Sequence, residues 1–209
     1  SCGIHSVMAG ETVDNIDSLL VVTADGIRMR VGPTPDEAYA QIVADGGRRA
    51  DIYKRLRDLR DRHADAIRRS FPKIPRRVSG YNLPALLPEN GFDVARALVG
   101  SECTCVLVLE ATTRLVHNPP VRSLLVLGYS DIFDAADHVL DPMTFDPIGL
   151  EAIDDSFIAD MKKKGMHPHH LDLLPAGRAW LLVEFGGDSK EEADAGAKRL
   201  MQALGGGEH

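Results

Sequence analysis

The chain has little cysteine, no excess of positive charge and no long hydrophobic run, and each absence removes a class of function. Three cysteines in 209 residues, at positions 2, 103 and 105, cannot staple a disulfide scaffold and fit a reducing, cytoplasmic setting. Lysine and arginine number 24 against 31 aspartates and glutamates, a net charge of −7, so no global field draws in nucleic acid. No apolar run approaches the roughly 20 residues that span a bilayer, and no charged segment followed by an apolar one opens the chain. Neither a transmembrane segment nor an export signal is therefore expected. Nineteen glycines and twelve prolines are too scattered for a fibrous protein, and 44% hydrophobic residues are too many for a disordered one. What remains is a globular chain long enough for one large domain or two small ones. It begins on Ser1-Cys2-Gly3, which reads as the middle of a loop, and a piece of a longer protein is expected.

From Ile16 to Val31 an apolar run, an Asp25-Gly26 pair and an alternating Ile27, Met29, Val31 set predict a β-hairpin closed by a tight primed turn. Ala38, Ile42 and Val43, then Ile52, Leu56, Leu59 and Ile67, recur at helical spacing with Gly46-Gly47 as the break. The second helix is arginine-rich, but its arginines alternate with Asp51, Asp58, Asp61 and Asp65, the pattern of a solvated face laced by local ion pairs. A short helix over Phe92 to Val99 ends at Gly100. The continuous Cys105-Val106-Leu107-Val108-Leu109 run predicts a strand covered on both faces, with Thr112 to Val116 continuing in another direction. After Pro119-Pro120 strands and helices alternate: Ser123 to Leu127, then Ile132 to Leu140, then Ile148 to Ile153, followed by a helix at Asp155 to Lys162, a strand at Trp180 to Phe185 and an amphipathic helix at Lys190 to Leu204. The diproline is the expected boundary between two α+β units.

By residue type alone, four groups compete for chemistry. Met166-His167-Pro168-His169-His170 suggests a metal cluster, yet its spacing matches no closed zinc pattern, and a polar loop is the simpler reading; no metal is assigned. Cys103-Thr104-Cys105 is a C-x-C, whose thiols on a strand would point to opposite faces, which disfavours redox pairing. Ser1 to Ser6 places Ser and Cys near His5, without an orienting carboxylate to complete a nucleophilic site. Gly100-Ser101-Glu102 joins a helix end to a strand, where small residues let a backbone approach a ligand and Glu102 can accept hydrogen bonds. A plain turn serves there as well.

Taken together and in order, Ser1-Cys2-Gly3-Ile4-His5-Ser6-Val7-Met8-Ala9-Gly10, Thr12-Val13-Asp14-Asn15-Ile16, Ala24-Asp25-Gly26, Ser79-Gly80-Tyr81-Asn82-Leu83 and Gly100-Ser101-Glu102-x-Thr104, followed by an apolar run and Glu110-Ala111, carry a resemblance over nearly the whole chain. It resembles the FAD-linked oxidases, in the glycolate oxidase and D-lactate dehydrogenase branch, which shares its flavin fold with vanillyl-alcohol oxidase. The resemblance implies an α+β chain in two parts. Residues 1–120 would be the later part of a PCMH-type FAD-binding domain, and residues 121–209 the start of the FAD-linked oxidase cap domain on the substrate side.

By the same resemblance Ser1, Cys2, Gly3 and His5 pass near the flavin, and Gly100, Ser101, Glu102 and Thr104 pack backbone against it. Neutral small residues suit a flavin ring or pyrophosphate better than bulky charged ones. The implied activity is oxidation of a small 2-hydroxy acid such as D-lactate or glycolate by hydride transfer to FAD, with a separate electron acceptor and room for an iron–sulfur module in the longer chain. No general base is named. Cys103 stands where the family has glycine, and Cys105 where it has leucine. The family's upstream pyrophosphate loop and its downstream histidine element have no counterpart in these residues. Cys103 also favours an alternative, a non-catalytic α+β interaction domain derived from the flavin fold. A metal hydrolase built on His167, His169 and His170 is a third reading.

Overall fold

A computed structural model describes residues 3–205. Two compact units emerge, each α+β: residues 10–115 form the first, and residues 3–9 together with the chain from Val116 onward form the second. The sequence boundary at the diproline thus lies close to where the chain passes from the first unit to the second.

In the first unit β1 (Ile16–Thr23) pairs antiparallel with β2 (Arg28–Val31), Leu19 opposite Val31 and Val21 opposite Met29. The hairpin forms where the alternation placed it, but its turn differs. Gly26 N–H bonds to Thr23 O at 2.9 Å and Thr23 N–H to Ile27 O at 3.0 Å, and of these loop residues only Gly26 has positive φ, +82°. That is a three-residue loop with glycine in the left-handed position, not a two-residue primed turn. Thr23 Oγ1 also accepts from Ile27 N–H at 3.0 Å and bonds Asp25, which favours the longer loop.

Helix α2 (Asp36–Asp45) and the long α3 (Gly47–Ser70) follow, with α4 (Val94–Leu98) after two 3₁₀ turns. Leu19, Val21, Met29, Val31, Tyr53 and Phe92 share the core. The arginines of α3 behave mostly as the charge pattern predicts, Arg62 pairing with Asp58 and Arg68 with Asp65 and Glu89. Arg60 keeps its local pair with Asp61 but is not solvated: only 6% exposed, its guanidinium lies 5.2 Å from the Phe92 ring centroid.

Strand β3 (Val106–Thr113) adds to β1 in the order β2-β1-β3. Here the expectation of cover on both faces fails. Leu107, Val108 and Leu109 are 58%, 47% and 46% exposed. The apolar core of this unit reaches no farther along β3 than Val106, whereas β2, the other edge strand, buries Met29 and Val31 against it. Nor does the chain change direction at Thr112, which remains in the strand.

The second unit is built on a sheet of order β4-β6-β5, all antiparallel: β4 (Val121–Tyr129), β5 (Gly149–Asp154) and β6 (Ala179–Gly187). One face carries Leu125, Leu127, Leu181, Val183 and Phe185. Against it lie α9 (Lys190–Ala203) and α5 (Ile132–Asp137), with the short α6 (Leu140–Met143) after α5. Gly196 on α9 meets Phe185 so closely that a Cβ would fall 2.5 Å from the ring. Also in this unit are α7 (Asp155–Lys163), capped by Asp154 accepting from Phe157 N–H, the single turn α8 (Pro168–Leu171), and the turn α1 (Ser6–Ala9).

Candidate functional site

Three of the motif segments converge in the first unit. Gly10, at φ +72°, turns the chain into a 3₁₀ turn over Thr12–Asn15, where Glu11 N–H bonds to Asp14 Oδ2 at 2.9 Å. From α4, Arg96 holds that turn, its Nε donating to Val13 O at 3.0 Å and its Nη2 to Asp14 Oδ1 at 2.9 Å. Arg96 is itself held from both sides. Asp93 caps α4 by accepting from Arg96 N–H at 3.0 Å, and Asn82 Nδ2 donates to Arg96 O at 3.1 Å. Arg77 in turn donates to Asn82 Oδ1 at 2.6 Å. Burial pushes the Asp93 carboxyl above its usual range, against the lowering pull of Arg96.

The Gly100 to Thr104 turn docks on the same loop. Tyr81 O–H lies 2.8 Å from Thr104 Oγ1, which donates to Ser101 O at 2.6 Å, and Thr104 N–H reaches the same carbonyl at 2.9 Å. Ser101 is buried, 6% exposed. Gly100, Glu102 and Cys103 have φ of +86°, +49° and +60°. Two consecutive non-glycine residues in the left-handed region each cost about 1–3 kcal/mol, strain that persists only where surrounding bonds over-determine it. The Tyr81–Thr104–Ser101 chain supplies those bonds. The Cys103 side chain is exposed, so its sulfur does not fill the turn from within.

Between these segments lie a cavity of about 250 Å³ and a smaller one of about 30 Å³; Glu11, Val13, Arg77 and Asn82 line both. Glu11 is only 9% exposed, and its Oε1 has no hydrogen-bond partner among the described residues. The Glu11 side chain already accepts from Asp14 N–H in a capping box, and its remaining buried oxygen marks a place for a further donor. Gly80 and Gly100 leave their backbone open: a Cβ at Gly80 would meet nothing within 4 Å, and one at Gly100 only Gly80 O at 3.9 Å.

The remaining residues named from sequence lie elsewhere. Ser1 and Cys2 fall outside the described residues. Gly3 and His5 belong to the second unit. There His5 Nε2 lies 2.5 Å from Glu184 Oε2 on β6, and Arg122 on β4 places Nη1 3.2 Å from His5 Nε2 and 3.3 Å from Glu184 Oε1. Asn118 Oδ1 accepts from the other Arg122 nitrogen at 2.7 Å. The structure therefore brings Gly100, Ser101, Glu102 and Thr104 together with Tyr81 and Asn82, and gives His5 a carboxylate and a guanidinium of its own. His167 and His170 stack at 5.7 Å, and among the described residues no group of three His, Cys, Asp or Glu side chains is arranged to hold a metal ion. Cys103 and Cys105 are free and exposed.

Glu11, Arg77 and Arg96 escaped the sequence reading. Arg96 matters through bonds to Val13 and Asp14, 83 and 82 positions away, and Arg77 and Glu11 through the cavities they line. The local signal was a carboxylate between Gly10 and Thr12, which is ordinary until its burial is known.

The proteins to which this chain is similar are 2-hydroxy acid dehydrogenases. No family model matches it, but individual relatives do, and they carry one name, D-2-hydroxyglutarate dehydrogenase. That of Pseudomonas putida is 29% identical over 208 residues, covering 97% of this chain and 21% of that protein. That of Pantoea ananatis is 28% identical over 214 residues, covering 97% and 20%, and that of Escherichia coli 30% identical over 140 residues, covering 64% and 13%. The chain spans about a fifth of the length of the first two. The likeness read from the motifs thus extends over nearly all of this chain. Among the described residues no helix is long and apolar enough to cross a membrane.

Proposed function

We propose that this chain is part of an FAD-linked dehydrogenase of a 2-hydroxy acid. On this reading residues 1–120 are the later part of a PCMH-type flavin-binding domain, and residues 121–209 the start of the cap domain. The observation that carries it is the convergence of the 11–15, 79–83 and 100–104 segments around open glycine backbone and a buried Glu11 carboxylate, one oxygen of which has no partner among the described residues.

These residues suit a flavin. Gly80 and Gly100 leave room for a flat ring against backbone, and Glu11 Oε1 can accept from an N–H or O–H of the bound group. Thr104 and Tyr81 hold the turn in its strained form, so the approach surface exists before binding. When bound, FAD supplies the acceptor for the hydride that leaves the substrate Cα as the hydroxyl loses its proton and a 2-oxo acid forms. The reading includes a separate electron acceptor and a reducing, cytoplasmic setting. D-2-Hydroxyglutarate, which names the relatives, joins D-lactate and glycolate as the substrates to compare.

The test is the visible absorption spectrum of the full-length protein, followed by reduction with each of the three acids. Flavin bands bleached by one of them are expected. A colourless protein that refuses added FAD would overturn the reading in favour of a non-catalytic interaction domain. Within a flavin-binding protein, Cys103→Gly should retain FAD as well as the parent, because the side chain it removes is exposed.

A further inference from the structure

The chain is acidic overall, yet between Asp65 and Glu89 it carries Arg68, Arg69, Lys73, Arg76 and Arg77 and no carboxylate. The acids at either end are already engaged. Asp65 and Glu89 both bond Arg68, Glu89 with both of its oxygens, and across the candidate site Asp14 bonds Arg96. Arg77 is held by a neutral group, Asn82 Oδ1. Arg69, Lys73 and Arg76 are exposed, and none of them has a partner among the described residues. Against them the turn that docks through Tyr81 sets one exposed carboxylate, Glu102. A positive excess remains.

The segment that carries this charge is not a solvated helix face. Residues 71–82 form neither helix nor strand, and Pro72 and Pro75 each fix a φ angle, which lowers the entropy lost when the loop is pressed against another surface. Ile74, Val78 and Tyr81 stand about half exposed among the cations. Arginine and tyrosine beside bare aliphatic side chains match the composition of a protein interface. Phe71, Lys73, Ile74, Arg77 and Leu87, with the Arg68–Glu89 pair, line a cleft of about 420 Å³ that can seat a side chain of a partner. The partner must be negative. Neutral polypeptide laid over Arg69, Lys73 and Arg76 would strip their water and return no charge.

The same loop walls the candidate site. Ile74 and Arg77 line the 250 Å³ cavity, and Arg77, Val78 and Tyr81 line the smaller one. A protein that must take electrons from a group bound there needs a surface this close, whereas a nucleic acid has the right sign but gains nothing from the place.

Resting on the flavin reading above, we propose that the loop from Arg69 to Val78 docks the electron acceptor, a protein with an acidic face. One 2-hydroxy acid gives up two electrons and two protons as the 2-oxo acid forms, so two one-electron acceptors leave reduced and the protons pass to solvent. The test is stopped-flow re-oxidation of the substrate-reduced full-length protein by two one-electron acceptors, plastocyanin, which presents an acidic face, and cytochrome c, which presents a basic one. With plastocyanin the rate should saturate with its concentration and fall as salt is raised. Lys73→Glu combined with Arg76→Glu should slow plastocyanin about tenfold at low salt and leave cytochrome c equal or faster, while Lys73→Arg combined with Arg76→Lys, which keeps the charge, should follow the parent. Bleaching of the flavin by substrate should be the same in all three proteins, since neither residue lines the two cavities. In a protein whose flavin is bleached, an unchanged plastocyanin rate, or an equal loss with both acceptors, would overturn the docking proposal alone. A colourless protein would overturn the flavin reading and this proposal with it.

Discussion

The two sheets invite comparison, because both have three antiparallel strands and both contain a continuous apolar strand. In β6 that run is central, and Leu181 and Val183 are wholly buried. In β3 the run Val106 to Leu109 is at an edge, and three of its residues are about half exposed. Composition is nearly the same, and edge position alone does not set the outcome, since the edge strands β2 and β4 bury Val31 and Leu127; what differs is that the core of the first unit reaches no farther along β3 than Val106. An apolar run states that a strand needs cover; it does not say whether the cover comes from a helix, a strand or another part of the polypeptide.

The sharpest test of that contrast is a matched pair of truncations. Leu181→Ala should cost about 2–5 kcal/mol, the price of a cavity in a packed core, while Leu107→Ala should stay within about 0.5 kcal/mol. Urea midpoints of the two variants measure the difference, and equal losses would mean that β3 is covered in solution. Next in size, Gly196→Ala pushes a methyl into the Phe185 ring and should cost about 1–3 kcal/mol by the same measurement. In the first unit Cys103→Gly should stabilise by about 1 kcal/mol by removing a side chain from the left-handed region.

The smallest effects separate the units by pH. Glu89, bonded by Arg68, is held down to about 2, so what it adds to stability is present above its ordinary value of 4.5 and is lost as pH falls toward about 2. In the second unit His138, hydrogen-bonded by Asp141, is raised, so its contribution is present below 6.5 and is lost as pH rises through its folded value. Both groups are exposed, and solvent screens both. Denaturation midpoints of Glu89→Gln and His138→Gln against pH should therefore converge with the parent at opposite ends, the first in acid and the second in base.

Legibility followed the range of the interactions. The hairpin, the Gly46-Gly47 break, α7, β6 and α9 were readable because periodicity and punctuation are local. The Asp25-Gly26 turn was read one residue too tight, since the Thr23 side chain, which selects the longer loop, lies outside the dipeptide. Cover on β3 could not be read at all, because sheet order is decided by residues far away in sequence. At the candidate site, small residues and Thr104 announced themselves by type, whereas Glu11 did so only through burial.

The connectivity of the second unit bears on how the molecule is made. Ile4 and His5 pack against β5 and β6, His5 meeting Glu184 across 179 positions, while residues 10–115 build a unit of their own. A ribosome delivers the two parts of the second unit at different times, with the whole of the first unit emerging between them. The entropy of closing so long a loop grows only as the logarithm of its length, and a first unit already folded shortens the flexible path further. The contact of His5 with Glu184 therefore cannot form until all 179 positions between them have been made.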